Sequence, residues 1–522
     1  MVRRLAFAGV VLGLVFQMVG PAAAGTSLEP GVFRYGVASG EVTPNSALLW
    51  TWSKHSPVRL DLSTTADFSS GVASQWIDVP LGHNHTVTTP VSSLSAATHY
   101  WFRYYDPVAA RFSRVGTFVT PPSAGSDVDV HFAYTGDSDG WYNPATNKPA
   151  FNSFQTLDQI RYSQADFMMY LGDLIYSDSS YSPFGPADTV KEYRANYKQN
   201  RTYDALRDME AALPVYTEWD DHEVRNDFDR SEVGNLFFRG MQAYEEYNPT
   251  PHWNPVLGYY RTFSWGQNLQ FFILDERSFR SPEVAHFPKA NPTDTSPCDN
   301  PVGSGNPDVA PTLPQPVRDQ FSVVIPQLAN PVPASCIAAL YDPSRTMLGA
   351  PQLTQFESDL AASTAKFKLV FSEDPIQEIF AFPYDRWEGY GAERLAILNY
   401  ITSNAISGVT WLTTDTHANI ENDIYTNSYI GTDTGMDEAI VGPIATNTLA
   451  KEAIASTGSP LAALALQIFL NTPRASGGLQ AKCAQIDTYA FGDVHYSVST
   501  GKLTIDVRDA SGNPICATLT EG

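Results

Sequence analysis

From residue 125 onward, short apolar runs alternate with longer stretches that carry an apolar stripe at helical spacing. The apolar runs are residues 128–135, 167–172, 215–219, 269–274, 367–371 and 409–413. The amphipathic stretches are residues 151–163, 191–212, 232–247, 352–364 and 392–403. Strands and helices that alternate in this way predict a layered α/β domain.

The length of the chain predicts more than one domain. Its 522 residues exceed what one hydrophobic core usually supports. Residues 25–122 contain β-rich runs separated by Pro, Asn, Ser and Gly, which predict an N-terminal β-sandwich of the fibronectin type. Residues 125–522 form the predicted α/β domain. Within it, the Pro-rich segment at about 281–346 predicts an irregular surface insertion, and residues 496–512 predict a hairpin.

Polar loops follow the predicted strands, and several of them carry acidic or histidine side chains. These residues are Asp137 and Asp139, Asp173 and Tyr176, Asp220, Asp221, His222 and Asn226, Glu373 and Asp374, and Asp415 and His417. A single Asp after a strand is usually a helix cap. Because the carboxyl ends of strands in an open α/β sheet converge on one crevice, a whole set of such loops predicts a metal cluster.

The residue types in these loops favour hard cations. Carboxylates, a phenol and few imidazoles suit Fe³⁺, Mn²⁺ or Ca²⁺ better than copper or thiolate-bound zinc. Two metals roughly 3.5–4 Å apart clamp a phosphoryl group and generate hydroxide as a nucleophile. Asp173 is the expected bridging carboxylate. Tyr176 would bind a trivalent iron as phenolate or, alternatively, pack as an aromatic side chain beside the strand end. Asp139 and Asn226 would bind an additional Ca²⁺ or cap loops, whereas Glu373 and Asp374 would touch metal or substrate.

A series of motifs runs along nearly the whole mature chain. In order, it reads GVASGE, LLWTW, TGDSDG, YLGDLIYSD, WDDHEVRND, LDERSFRS, RTMLGAPQLTQFESDL, YDRWEGYGAER and TTDTH. With these motifs the chain resembles the alkaline phosphatase D family of calcineurin-like metallophosphoesterases. The resemblance implies a four-layer αββα sandwich preceded by a small all-β, immunoglobulin- or fibronectin-like domain. It also implies hydrolysis of phosphate monoesters or diesters at a centre that holds Fe³⁺ and Ca²⁺.

Matched position by position, the resemblance implies a role for each motif residue. The implied metal ligands are Asp137, Asp173, Tyr176, Asp221, Asp415 and His417. His222 would face the phosphate, as transition-state stabiliser or leaving-group acid. Asp137 stands where many relatives have a metal-binding Cys, so Mn²⁺, Mg²⁺ or Zn²⁺ are alternatives to iron.

A second segment competes for the place of the last motif. Residues 492–495 have the sequence GDVH. This sequence is closer to the family's usual final motif than is TTDTH, which contains Asp415 and His417. However, GDVH leads straight into the terminal hairpin, whereas Asp415 follows an amphipathic helix and an apolar strand. Strand context therefore favours Asp415 and His417 over Asp493 and His495.

The charge of the chain limits its partners. A formal charge of −23 argues against nucleic acid as a structural partner, because phosphate backbones require a basic face. Outside the N-terminus, no window is apolar enough to predict a transmembrane anchor. We expect a monomer whose substrate is a small phosphate ester or a phospholipid head group.

The N-terminus predicts an export signal at residues 1–24. Arg3 and Arg4 precede an apolar run from Leu5 to about Val19, and Ala22–Ala24 supply small residues for cleavage. We therefore expect a secreted protein, and the paired arginines permit a twin-arginine route as well as the general one. The four cysteines then predict two disulfides, for which three pairings are possible. Their order along the chain favours Cys298–Cys336 and Cys483–Cys516.

Two alternatives to a general phosphoesterase remain. One is a phospholipase D-like phosphodiesterase with the same metal core. The other is a Ca²⁺-binding surface or carbohydrate-binding protein without turnover, which would use the β-sandwich as its binding module. His222 and Tyr176 argue against the second alternative, since a structural Ca²⁺ site needs neither imidazole nor phenol.

Overall fold

The computed structural model describes residues 31–286 and 295–522, so the predicted export signal lies outside the described residues. The strands are β1 (Val37–Thr43), β2 (Ser46–Trp52), β3 (Val58–Ser63), β4 (Ala73–Ile77), β5 (Thr86–Ser92), β6 (His99–Asp106), β7 (Arg111–Phe112), β8 (Gly116–Val119), β9 (Val130–Thr135), β10 (Tyr142–Asn143), β11 (Lys148–Pro149), β12 (Phe167–Leu171), β13 (Val215–Glu218), β14 (Arg261–Trp265), β15 (Leu269–Ile273), β16 (Phe367–Phe371), β17 (Val409–Thr413), β18 (Asn419–Tyr425), β19 (Asp433–Ile440), β20 (Cys483–Gln485), β21 (Ala490–Ser497), β22 (Lys502–Asp509) and β23 (Leu519–Glu521). The helices are α1 (Gln155–Ser163), α2 (Val190–Asn200), α3 (Asp204–Ala212), α4 (Arg230–Val233), α5 (Asn235–Tyr247), α6 (Gln315–Phe321), α7 (Ala334–Leu340), α8 (Ala350–Ala362), α9 (Gly391–Ser403), α10 (Leu449–Thr457) and α11 (Pro460–Asn471).

Two large sheets contain all six predicted strands of the α/β domain. In the nine-stranded sheet the order is β23-β22-β21-β9-β12-β13-β1-β2-β5, and in the seven-stranded sheet it is β14-β15-β16-β17-β19-β18-β20. The strands β9, β12 and β13 are parallel to one another, as are β15, β16, β17 and β19. The predicted α/β class and the terminal hairpin, which is β21–β22, are confirmed.

Apolar side chains from both large sheets share one core. The ring of Phe132 on β9 lies 5.4 Å from that of Phe271 on β15, and Phe271 lies 5.9 Å from Phe371 on β16. A second core joins the other face of the nine-stranded sheet to α1, α2, α3 and α5. A third joins the seven-stranded sheet to α8 and α9. Strands buried on both faces read as continuous apolar runs, as FMMYL does in β12.

The helix predicted over residues 191–212 is two helices, α2 and α3. The first begins with a capping box, in which Thr189 and Glu192 satisfy each other's backbone N–H groups. It ends at Asn200, whose side-chain amide donates to the carbonyls of Ser138 and Leu174. This side chain therefore ties the end of α2 to two loops that follow strands of the sheet.

The N-terminal segment divides between two sheets. Its strands β1, β2 and β5 extend the nine-stranded sheet, to which β1 is joined by the parallel pair Gly40 and Val215. The strands β3, β4, β6, β7 and β8 form a separate five-stranded sheet. Apolar residues from both sets, such as Leu49 and Phe102, pack in one core. The separate domain predicted for residues 25–122 remains a prediction.

The Pro-rich insertion is more ordered than predicted. It contains the short helices α6 and α7, whereas the sequence predicted irregular structure throughout residues 281–346. Val317 and Leu328 of the insertion are buried against Phe469 and Leu470 of α11, contacts that no local periodicity signals. The predicted disulfides Cys298–Cys336 and Cys483–Cys516 are both present. None of the helices in the described residues is long and apolar enough to cross a membrane.

Candidate metal centre

The loops predicted to carry ligands all follow strands of the two large sheets. Asp137 lies two residues beyond the end of β9, Asp173 two residues beyond β12, and Asp415 two residues beyond β17. All three have positive φ angles, of 66°, 49° and 54°, and so does His417 at 54°. Non-glycine residues pay a conformational cost in this region, and such strained residues cluster at functional sites.

One group of ligand atoms consists of Asp137, Asp173 and His417. Their ligand atoms all lie within 4.8 Å of one another. The hydroxyl of Tyr176 is 2.8 Å from Nε2 of His417. The structure thus brings together four residues that the sequence predicted as ligands, from three separate loops.

A second group consists of Asp173, Asp221 and His222, again with ligand atoms within 4.8 Å. Nε2 of His222 lies 3.9 Å from a carboxylate oxygen of Asp173 and 3.9 Å from one of Asp221. The backbone N–H of His222 donates to Asp173 at 3.1 Å. Asp173 therefore belongs to both groups, which is the position expected of a carboxylate between two cations.

The carboxylate of Asp137 has no hydrogen-bond partner among the described residues. The side chain is fully buried, and neither oxygen accepts a hydrogen bond, although Nε2 of His417 lies 3.3 Å from Oδ1. Burial raises the pKa of this carboxyl above its ordinary value, against the opposing effect of His417. A buried carboxylate that accepts no hydrogen bond is costly, and a cation at this place would stabilise it in addition to the nearby His417.

The other carboxyls of the centre share this electrostatic condition. Burial raises the pKa of Asp173 well above its ordinary value and that of Asp221 to about 6, although His222 opposes both shifts. Burial, followed by the negative charges of Asp173 and Asp137, also raises the pKa of Tyr176 well above its usual value. Burial thus disfavours the ionised form of these groups, a condition that the positive charge of a bound metal ion would relieve.

His222 is oriented by a residue that the sequence did not single out. Its Nδ1 atom lies 2.5 Å from Oδ1 of Asp178, and the ring of Tyr176 packs against the imidazole, tilted by 31° with centroids 4.0 Å apart. The second oxygen of Asp178 accepts the backbone N–H of Asn226 at 2.7 Å. Burial alone lowers the pKa of His222, but Asp178, Asp221 and Asp173 together raise it well above its ordinary value.

His417 has a corresponding partner in Glu452 of α10. Nδ1 of His417 lies 2.7 Å from Oε1 of Glu452, which leaves Nε2 directed at Tyr176 and Asp137. A carboxylate on the second nitrogen of an imidazole fixes its tautomer and orientation, an arrangement typical of metal-ligating histidines. The sequence contained no signal for Glu452, since a helix contributes it from beyond the loop motifs.

Asp415 follows a strand of the seven-stranded sheet and lines the same cleft as residues of both groups. Its carboxylate is 4.0 Å from the guanidinium of Arg386, and both side chains line the cleft. Burial raises the pKa of Asp415 well above its ordinary value, and Arg386 opposes that shift. The structure therefore brings Asp415 into the crevice beside a cationic side chain.

Further buried charged side chains lie next to the two groups of ligand atoms. The guanidinium of Arg277 is paired with both Asp220 and Asp385, and its two bonds to Asp385 are 2.7 Å long. Glu373 is fully buried, and it forms a third group of close ligand atoms with Asp173 and Asp220. Its Oε2 accepts no hydrogen bond among the described residues. Asp374 is held differently, 3.7 Å from Arg277.

Asp139 and Asn226, which the sequence predicted as ligands of an additional Ca²⁺ or as loop caps, both make hydrogen bonds to nearby loops. Asp139 accepts hydrogen bonds from the Ser179 hydroxyl at 2.5 Å and from the Trp141 N–H at 3.0 Å, as a loop cap does. Burial, which outweighs these hydrogen bonds, raises its pKa to about 6. Asn226 lines the cleft and donates its backbone N–H to Asp178.

The competing GDVH segment lies in the middle of β21, away from the crevice. Asp493 pairs in register with Ala133, which is four residues before Asp137 along β9. Its carboxylate contacts His131 at 2.6 Å and Arg508 at 2.7 Å. The preference for Asp415 and His417 therefore agrees with the geometry, because His417 lies beside Asp137 and His495 does not.

A cleft of about 560 Å³ is lined by Asp173, Tyr176, Asp221, His222, Asp415 and His417. Asp137 is fully buried and is not among the lining residues. Loop residues 379–386 and residues of α10 and α11 line other parts of the cleft. The donor set of carboxylates, a phenol and two imidazoles fits hard cations. The buried carboxylate of Asp137, which accepts no hydrogen bond, is a place where such a cation would be stabilised. The residues present therefore fit a metal centre.

Comparisons with known proteins agree on one family. The family model for the PhoD-like phosphatase matches residues 140–507, and the model for the N-terminal domain of PhoD-like phosphatases matches residues 20–122. The chain is 24% identical over 472 residues to alkaline phosphatase D of Bacillus subtilis (strain 168), a match that covers 79% of this chain and 69% of the relative.

Two solved structures share the fold. The structure of PhoD superposes with a TM-score of 0.67 at 20% identity, covering 96% of this chain and 90% of that one. A purple acid phosphatase, PPD1 from yellow lupin (Lupinus luteus) seeds, has a TM-score of 0.53 at 12% identity, covering 93% of this chain and 73% of that one. At these identities the similarity concerns the arrangement of the chain.

Proposed function

The chain belongs to the PhoD-like phosphatase family and is a hydrolase of phosphoric esters, and we propose that it is a secreted enzyme acting on phosphate monoesters, diesters or both at a two-metal centre. The observation that carries the proposal is the position of Asp173, whose carboxylate belongs to two separate groups of ligand atoms. Family membership also favours the hydrolase over the non-catalytic Ca²⁺-binding alternative.

The proposed ligands follow from the two groups. Asp137, Tyr176 and His417 would hold one ion, Asp221 the other, and Asp173 both, with Asp415 closing the set. We propose Fe³⁺ and Ca²⁺, with Mn²⁺, Mg²⁺ or Zn²⁺ as alternatives because Asp137 is a carboxylate rather than a thiolate. When bound, such ions supply Lewis acidity for the phosphoryl group and a nucleophilic water at neutral pH.

His222 is the proposed acid. Its Nδ1 is occupied by Asp178, so the proton available for transfer is the one on Nε2, which faces the crevice. The negative charges around the imidazole favour the protonated form. A protonated Nε2 would hydrogen-bond the oxygen of the leaving alcohol and transfer its proton as the P–O bond breaks.

Arg386 is the proposed phosphate-orienting cation. It lines the cleft next to Asp415, and its guanidinium presents donors that suit phosphate oxygens. The cleft volume of about 560 Å³ suits small esters and does not distinguish a monoester from a diester. We retain the phospholipase D-like activity as the specific alternative among diesters.

Further proposals concern export, domain organisation, layering and oligomeric state. Residues 1–24 would direct export, residues 25–122 would form the N-terminal β-sandwich domain, and residues 125–522 would form the catalytic domain. The three apolar cores that involve the large sheets support a helix–sheet–sheet–helix layering of the αββα type. We propose that the enzyme acts as a monomer.

The proposal is tested by hydrolysis of p-nitrophenyl phosphate and bis(p-nitrophenyl) phosphate, before and after treatment with a chelator. Turnover that disappears with the chelator and returns when metal is added supports it. Turnover that survives complete metal removal would contradict the metal centre. Comparison of kcat/KM for the two esters decides between monoesterase and diesterase.

A further inference from the structure

Two segments of this strongly charged chain contain no charged residue. They are residues 320–341 of the insertion and residues 453–473, which include most of α10 and all of α11. The rings of Phe321 and Phe469, one from each segment, lie 5.7 Å apart edge to face. The parts of the two segments around these rings therefore pack together. We call the surface that they form the uncharged face, because it has no charged residue of its own in a protein whose formal charge is −23.

Large apolar side chains of this face are exposed. On α11, Leu461, Leu464 and Ile468 are 58%, 55% and 52% exposed, and their spacing of three and four residues puts them on one side of the helix. On the insertion, Val323 is 88% exposed. Single exposed apolar residues are ordinary, but an exposed helical stripe on an uncharged face is typical of a surface that contacts something apolar.

An apolar pocket of about 90 Å³ opens beside this stripe. Leu313, Phe321, Leu328, Phe380 and Phe469 are among the residues that line it, and its lining is almost entirely apolar. On α11, Ala462, Ala465 and Phe469 face the pocket, next to the side that carries the exposed stripe. A cavity with such a lining favours hydrocarbon over water.

The pocket is continuous with the metal cleft. Six residues line both: Ile379, Ala381, Phe382, Ala453, Ser456 and Leu466. The metal groups, the apolar pocket and the exposed stripe therefore follow one another along one side of the molecule. A substrate whose phosphate reached the metals would place its remaining part toward the pocket and the stripe.

We propose that the uncharged face docks this protein on a zwitterionic lipid surface, with hydrocarbon from that surface entering the apolar pocket. An amphipathic surface helix binds an interface through its apolar side, and Leu461, Leu464 and Ile468 supply that side here. The net charge selects the kind of surface, because a protein of −23 is repelled by anionic lipids. The inference rests on the proposed function only for what the metals do, since docking requires no turnover.

The test is co-sedimentation of the full, metal-loaded protein with phosphatidylcholine vesicles. We expect the protein to sediment, and the double variant L464D/I468D to bind about tenfold more weakly, the factor that roughly 1.4 kcal/mol produces. The matched control is V256D, which introduces the same carboxylate at a 54% exposed valine outside the cleft and the pocket, and we expect it to bind like the parent. All three proteins should hydrolyse soluble p-nitrophenyl phosphate equally.

Three results would overturn the proposal. The first is a parent protein that does not sediment, or a double variant that sediments as well as the parent. The second is equal or stronger binding when anionic lipid is added to the vesicles. The third is a parent that light scattering shows to be a dimer and that L464D/I468D converts to a monomer, since the face would then join two copies. A parent protein that does not hydrolyse p-nitrophenyl phosphate would instead contradict the proposed function. The sedimentation result would still decide whether the uncharged face docks on lipid.

Discussion

The imidazole of His222 is bonded through Nδ1 to the carboxylate of Asp178, with 2.5 Å between the two atoms. This bond leaves Nε2 as the nitrogen that faces the crevice, 3.9 Å from a carboxylate oxygen of Asp173. A histidine held in this way has a fixed tautomer and a fixed direction of proton transfer. Asp178 is thus a positioning residue for the proposed acid, and its own carboxylate belongs to neither of the two groups of ligand atoms described above.

Asp178→Asn should impair proton transfer without removing metal. A positioned general acid contributes about 10²–10⁴-fold to the rate, and we expect kcat/KM to fall by at most this factor. The fall should be larger for an alkyl phosphate, whose alkoxide needs a proton, than for p-nitrophenyl phosphate, whose phenolate does not. The control is Asp188→Asn, since Asp188 is a nearby, largely exposed residue that pairs with Arg225. Equal losses for both leaving groups would count against this role.

Asp173→Asn should abolish both metal sites at once, because its carboxylate belongs to both ligand groups. We expect a folded protein that retains less than half of the parent's bound metal and no measurable turnover. Elemental analysis by mass spectrometry, together with circular dichroism, measures this. Asp493→Asn makes the same change in the similar GDVH segment and should leave the metal content unchanged. Retention of full metal content in Asp173→Asn would refute the shared position.

Glu452→Gln should weaken the site that contains His417. The carboxylate of Glu452 holds Nδ1 of His417 at 2.7 Å, and loss of such a partner typically costs about 10–100-fold in metal affinity. Competition with a chelator measures the affinity. Glu245→Gln is the control. Glu245 also holds Nδ1 of a histidine, His252, at 2.8 Å, and this pair does not line the cleft. Equal effects of the two substitutions would show that Glu452 acts through general stability.

Asp493 should contribute stability that depends on pH. Burial alone would raise its pKa, but hydrogen bonds from His131 and His495 hold the pKa below its ordinary value. A lowered folded-state pKa stabilises the protein above the unfolded pKa of about 3.9, and this stabilisation is lost as the pH falls through the folded value. Asp493→Asn should therefore lower the free energy of unfolding by about 1–3 kcal/mol at neutral pH.

Urea unfolding of the parent and Asp493→Asn at about pH 6 and about pH 3 tests this dependence. The difference in free energy of unfolding between the two proteins should shrink at the lower pH, because the Asp493 carboxyl of the unfolded parent takes up a proton there. A difference that stays constant or grows in acid would contradict the assignment.

The fold elements that sequence predicts best are those whose environment is uniform. The strand β12 is buried on both faces, so its sequence FMMYL is continuously apolar and easily recognised. The parallel pairing of β9 and β12 explains why Asp137 and Asp173 meet at the carboxyl end of one sheet. Asp415 follows β17 of the other large sheet, so its approach depends on the packing of the two sheets. Local pattern and topology together were sufficient to predict that side chains from these loops lie close to one another, whereas their role as metal ligands stays a prediction.

Other features depend on contacts between distant segments. Glu452 reaches His417 from α10, and neither the helix nor the loop signals the other. The helices α6 and α7 are short and interrupted by proline-rich turns, and the apolar residues around α6 pack on α11 rather than follow a local period. Likewise, β1 joins the nine-stranded sheet through the single pair Gly40 and Val215, which no pattern in either strand indicates.

The central claim is that two metal ions share the carboxylate of Asp173. An anomalous diffraction map of crystals of the metal-loaded protein, recorded on both sides of the metal absorption edges, tests it most directly. We predict two peaks roughly 3.5–4 Å apart, the separation of metals in two-metal sites, one on each side of Asp173. One peak should lie near Asp137, Tyr176 and His417, and the other near Asp221. A single peak, or peaks only at His131, Asp493 and His495, would contradict the account.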